Sequence, residues 1–211
     1  MSTTIARRLS LCASLSLLAL VTVSGCSSQN KAPKSKLDPA AQAMADMETY
    51  SKSGMPGEMH RKLAEGAGTW TTTNTMWMAP DMPPMTTTGT ATTRMSMDGR
   101  FAITEVTSSM GDMGTMNGMS IVGYDNVQKK FVSTWIDNMG SGIMQGVGTS
   151  TDGGNRIEWV YTYSCPITNS RRTMREVHTH PDKNTFVIES FANDPRTNVE
   201  MKCMRMEAKR K

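Results

Sequence analysis

Between Cys26 and its end the chain has only two leucines, Leu37 and Leu63, and after Leu63 it has none. Leucine is a usual core filler, so its absence excludes an ordinary leucine-packed interior. The 21 methionines take its place, as flexible and polarizable side chains suited to irregular or adaptable apolar surfaces. Long apolar runs are also missing. The longest, Leu9 to Val23, is interrupted by Ser, Thr and Cys12 and falls short of the roughly 20 residues a spanning helix needs. Net charge is slight. The formal value of +4 drops to +2 without Arg7 and Arg8, too weak a field to argue for nucleic acid as a partner. The basic end Lys209-Arg210-Lys211 reads as a solvated tail. There is no Gly-x-Ser-x-Gly, no phosphate loop and no dinucleotide fingerprint, which counts against the enzyme classes those motifs mark.

The N-terminus has a clear pattern. Arg7 and Arg8 precede the short apolar run, which closes on Val23-Ser24-Gly25-Cys26. A positive start, a run too short to span and small residues before a cysteine form a signal peptide over residues 1–25 with a lipobox. Cys26 is then the lipid anchor, its thiol taking a diacylglyceryl group and its freed amine a further chain. Two or more chains hold stably where one does not, at about 0.8 kcal/mol per buried CH₂. The competing reading is an ordinary secretory signal that contains a cysteine. Ser27 rather than Asp after the cysteine favours the outer membrane of a bacterial envelope, facing the periplasm. Residues 26–37 are polar, with Lys31, Lys34 and Lys36, and form a flexible tether. Two cysteines remain, Cys165 and Cys203, which either pair in an oxidising envelope or stay as two buried thiols.

Residues 38–211 read as one domain. Asp38 before Pro39 is an N-cap with proline at the first helical position, so a helix is expected over 40–51. Ser53 to Gly57 breaks it, and a second short helix follows over 58–65. From Thr69 the chain turns β-rich. Strands are expected at 69–78, 87–97, 100–109, 118–124, 130–137, 142–150, 156–163, 172–180, 184–191 and 198–207, between turn signals such as Asp98-Gly99 and Asp152-Gly153-Gly154-Asn155. Ten short antiparallel strands suggest an all-β, up-and-down barrel or sandwich. Ile157, Trp159, Tyr161 and Tyr163 share one side of their strand, as do Phe131, Ser133, Trp135 and Asp137. The pattern leaves open which sides face inward.

Gly68-Thr69-Trp70 at the first strand resembles the Gly-x-Trp start of lipocalin-like (calycin-like) barrels. In that superfamily a late basic residue packs over the Trp, a role for which Arg205 is the candidate. The wider pattern resembles the bacterial domain-of-unknown-function family numbered 1579. It is carried by His60, Leu63, Gly68, Trp70, Gly99-Arg100-Phe101, Gly118, Gly123-Tyr124-Asp125 and Lys130-Phe131-Val132. Trp135-Ile136-Asp137-Asn138-Met139, Gly142, Gly148, Arg175-Glu176-Val177 and Phe186 to Glu189 continue it over roughly residues 58–209. The family's frequent Asp-Pro-x-Thr-Gly loop is here Cys165-Pro166-Ile167-Thr168-Asn169, a departure that puts any role tied to that acid in doubt. The resemblance implies a lipocalin-like barrel and no established activity.

Three constellations carry chemistry. Met110, Met113, Met116 and Met119 fall at three-residue spacing in a Gly-rich stretch expected to be a hairpin loop, and thioethers favour Cu(I). The plainer reading is that a methionine-rich chain sometimes clusters them. Glu176-x-His178-x-His180 places three side chains on one side of a strand, where two imidazoles can share a metal or simply sit half-exposed. Trp135, Asp137 and Met139 suggest a pocket mouth, with Asp137 either orienting a ligand or bonding its own turn. With Trp70 and Glu176 they form the expected ligand pocket. The leading expectation is therefore a lipid-anchored barrel binding a small apolar ligand. A copper-binding protein and an enzyme using Asp137 or Glu176 as acid or base are the alternatives.

Overall fold

The computed structural model describes residues 38–211; the expected signal peptide, Cys26 and the expected tether lie outside them. The chain divides into two units, residues 1–42 and residues 43–211. In the first, Asp38 Oδ1 accepts the Ala40 and Ala41 N–H groups at 2.9 and 3.0 Å, the cap expected from Asp38-Pro39. Helix α1 spans Pro39–Ser53 and α2 spans Glu58–Ala64.

Ten antiparallel strands make a closed barrel in which each pairs with its neighbour in sequence and β1 with β10. They are β1 Gly68–Met76, β2 Met85–Ser96, β3 Phe101–Ser109, β4 Thr115–Asp125 and β5 Lys130–Asp137. The second half is β6 Met144–Thr149, β7 Arg156–Cys165, β8 Ser170–Asp182, β9 Thr185–Asn193 and β10 Glu200–Arg210. All ten expected strands are present. One boundary differs in kind: β4 starts at Thr115, so the stretch expected as a methionine-rich loop is a short turn, with a 3-10 turn at Gly111–Met113, followed by strand. Its pairing with β3 supplies the reason, since Thr115, Met116 and Asn117 sit opposite Ser109, Ser108 and Thr107. Pro181 falls where the β8–β9 register shifts, the kind of position at which a residue without N–H interrupts no ladder.

Acidic side chains hold the turns. Asp125, Asp152, Asp182 and Asp194 each accept backbone N–H groups within their own turn. Those bonds hold all four carboxyls below their ordinary value.

The inner faces follow strict alternation. Phe131, Ser133 and Trp135 of one set and Ile157, Trp159 and Tyr161 of the other line the interior, with Phe131, Ile157, Trp159 and Tyr161 forming one buried cluster; Asp137 and Tyr163, toward the strand ends, do not reach it. Glycine on a neighbouring strand lets these rings lie against the wall. A Cβ on Gly118 would meet Trp135 Cζ2 at 2.3 Å, one on Gly146 would meet Tyr161 Cε1 at 2.5 Å, and one on Gly148 would meet Trp159 at 2.8 Å. A second cluster gathers Trp70, Ala91 and Ala208.

The basic residue over Trp70 is Arg210, not Arg205. Arg210 is paired in register with Trp70, and its guanidinium lies 4.2 Å from the ring. It donates to the carbonyls of Ala67 and Glu65, both at 2.7 Å. Arg205 lies five residues earlier, on the outward face of β10, beside Glu207 at 3.2 Å. Gly68 is required here: its φ is +137°, and a Cβ would fall 2.6 Å from the Arg210 side chain.

Helix α2 covers one end of the barrel, with Met59 and Leu63 against the Phe131–Trp159 cluster. His60 is buried, accepts the Gly57 N–H at Nδ1 and meets Tyr124 edge-on. Burial holds it below the ordinary histidine value. Arg100 and Asn126 bind the carbonyls of Gly54, Ser53 and Met55, tying the link between the helices to two hairpins.

Candidate functional site

The barrel interior contains a cavity of about 380 Å³. Lys62, Leu63 and Gly66 of the α2 segment bound one end. Toward the other, Met116, Trp135, Met144, Met174 and Met204 contribute to the wall. Here methionine plays the part expected from the missing leucine: several of its flexible side chains line an interior that is not fully packed.

One side of this apolar space is polar. On β8, Glu176 is buried and accepts the Ser190 hydroxyl of β9 at 2.7 Å. Its other oxygen lies 2.8 Å from His178 Nε2. The adjacent strand β7 brings Tyr161, whose hydroxyl donates to Ser133 at 3.1 Å. Burial, with the Glu176 charge, pushes the Tyr161 phenol up, so it stays protonated. His180, stacked on Phe186 at 4.7 Å, is held below its ordinary value first by burial, then by Lys62 and His178. Cys203 bonds the Ser190 carbonyl at 3.4 Å, and burial followed by Glu176 raises its thiol. Cys203 and Cys165 are both free thiols. The indole N–H of Trp159, in the cavity wall, has no partner.

The order of these groups limits their chemistry. In a nucleophile relay the imidazole stands between the hydroxyl and the carboxylate. Here the carboxylate stands between Ser190 and His178, so the imidazole is bonded to the carboxylate and not to the hydroxyl. The arrangement fixes a polar anchor inside an apolar chamber.

The expected pocket residues divide. Trp70, Trp135 and Glu176 line the cavity. Asp137 lies outside its wall, accepting the Trp135 indole N–H at 2.6 Å and the Met139 N–H at 2.9 Å. It bonds its own turn and sets the Trp135 ring, which in turn faces the interior. Met139 is exposed in the loop after β5. Glu176, His178 and His180 all line the cavity, as their spacing implied. Among the described residues no group of three His, Cys, Asp or Glu is placed to hold a metal ion. Three of the four spaced methionines lie apart. Met116 lines the interior and Met119 an outer groove, because residues three apart on a strand face opposite ways, and Met113 is exposed in the 3-10 turn before it. Sequence reasoning passed over Ser190 as a partner of Glu176. The only signal was strand alternation, and pairing across strands required the register.

The family described as "protein of unknown function (DUF1579)" matches residues 55–210. Among solved structures, the fold is similar to the crystal structure of Rv2717c from M. tuberculosis, with a TM-score of 0.53 and 11% identity, over 74% of this chain and 99% of that one. It is also similar to the S-type phycobiliprotein lyase CPES from Guillardia theta, with a TM-score of 0.51 and 6% identity, over 76% and 96% of the two chains. At such identities the likeness is one of fold. No curated protein matches the sequence.

Proposed function

This chain belongs to the DUF1579 family of proteins of unknown function, and we propose that it binds a small, largely apolar molecule inside its barrel while lipid on Cys26 holds it in a bacterial envelope. The observation that carries the reading is the cavity of about 380 Å³, apolar over most of its wall and polar at Glu176, His178, Ser190 and Tyr161. Small-molecule sites have this character, with volumes of about 300–1,000 Å³ and a few placed polar groups that set orientation. The lipobox at Val23-Ser24-Gly25-Cys26 and the polar tether after it support the anchored setting. Ser27 supports the outer membrane, facing the periplasm.

Native mass spectrometry of the gently purified protein tests both halves. An organic adduct and the added mass of acyl chains are the expected results. An adduct of copper would move attention to Met110, Met113, Met116 and Met119. A bare mass, together with no saturable binding of an apolar dye, would overturn the binding barrel. An unacylated Cys26 would overturn the anchor alone.

A further inference from the structure

The two ends of the barrel differ in chemistry. In an up-and-down barrel alternate loops gather at alternate ends, so the loops β1–β2, β3–β4, β5–β6, β7–β8 and β9–β10 all lie opposite α2. Each carries an exposed apolar side chain. They are Met78 and Met82 in the first loop, Met113 in the second, and Met139 and Ile143 in the third. Ile167 and Val199 complete the ring. These five loops contain no lysine, and their charged residues are Asp81, Asp112, Asp194 and Arg196. Asp194 is buried by its own turn. At the α2 end the four shorter hairpin loops carry exposed apolar residues in only two, Met97 and Val127, and are denser in charge, with Asp98, Arg100, Lys129, Asp152 and Lys183.

We propose that this apolar ring docks on a lipid bilayer, seating the end of the barrel opposite α2 in the membrane interface. Three observations select lipid as the occupant. The apolar groups sit on five separate loop tips, a set of prongs that suits a fluid apolar phase. Pro80, Pro83, Pro84, Pro166 and Pro195 stiffen three of the tips. Twelve residues from Cys26 to Leu37 have a maximum reach of about 40 Å, so an anchored domain can turn this end to the bilayer. That last point rests on the anchored reading above. With two exposed aspartates and one arginine in the ring, attachment is apolar rather than ionic. It therefore proceeds on zwitterionic lipid and withstands salt.

The protein carries its own reporters. Met78 and Met97 are matched in exposure, at 67% and 68%, but lie at opposite ends. The native protein is held on phosphatidylcholine vesicles, treated briefly with hydrogen peroxide, and its methionine sulfoxides are mapped by mass spectrometry against the detergent-solubilised protein. The expected result is a several-fold slowing at Met78, Met82, Met113 and Met139 with Met97 unchanged, independent of protein density and of salt. Equal oxidation of Met78 and Met97 on vesicles would overturn the docking. Protection that appears only at high protein density would assign the ring to a second copy and would also overturn it. The intact mass reads the anchor separately. If it shows no acyl chains, vesicles are added to the free protein, and unprotected ring methionines still overturn the proposal.

Discussion

Replacing Arg210 with alanine removes a cation that closes the barrel at its β1–β10 seam. Its guanidinium stacks on Trp70 at 4.2 Å and donates at 2.7 Å to the carbonyls of both Ala67 and Glu65, with a longer bond to Lys183. A hydrogen bond from a charged donor contributes about 1.5–3 kcal/mol, and a cation over an aromatic face about 0.5–1 kcal/mol where solvent has access. Water reaches part of this side chain and the contributions overlap, so the loss for Arg210→Ala is about 3 kcal/mol. Against a domain stability of about 5–15 kcal/mol, that is large. Arg205→Ala breaks only a surface pair with Glu207 and costs less than about 1 kcal/mol. Arg210→Lys keeps the charge but not the planar fork, and recovers only part of the loss. Equilibrium urea unfolding followed by tryptophan fluorescence measures all three. Equal losses at positions 205 and 210 would refute the reasoning.

Burial holds His60 and His180 below their ordinary value, so near pH 6.5 the unfolded chain takes up protons that the folded chain refuses. Stability is then full above that pH and falls as pH drops toward the folded values; an unchanged urea midpoint between about pH 7.5 and about pH 5.5 would contradict this. The turn carboxylates are held below their ordinary range, so their contribution is lost only below about pH 4, outside that window. Gly118→Ala places a Cβ 2.3 Å from Trp135 and drives the ring into the cavity, costing about 1–3 kcal/mol and reducing saturable uptake of an apolar dye. Dye capacity equal to that of the parent would count against an interior site. Glu176→Leu leaves Ser190 and His178 without their shared acceptor and lowers stability by about 1–3 kcal/mol, while Glu176→Gln retains much of it. Unfolding curves that place both variants together would dismiss the carboxylate as the organising group.

Much of the fold was legible in the linear pattern because its causes are local. Turn residues marked four of the hairpins, and Thr, Val and aromatic runs marked ten strands. Asp38-Pro39 announced a helix cap that the structure shows bond for bond. The site was legible only in part. Glu176, His178 and His180 share a face by strand periodicity alone, and all three reach the cavity. Strand periodicity grouped Asp137 with Trp135 as pocket residues, but where each sits along the barrel was hidden. Trp135 lines the cavity, and Asp137, at the end of β5, holds its ring from beyond the cavity wall.

Local chemistry therefore specified elements and their two faces, because backbone sterics and turn bonding extend over a few residues. Closure of the sheet specified the rest. Only once β1 meets β10 does Trp70 lie opposite Arg210 rather than near Arg205, and only the β8–β9 register sets Ser190 against Glu176. A strand pattern with period two is unchanged by a shift of two residues. The partner across a strand is thus a property of the closed barrel, and so are the glycine gaps that let Trp135, Trp159 and Tyr161 lie flat and leave the interior open.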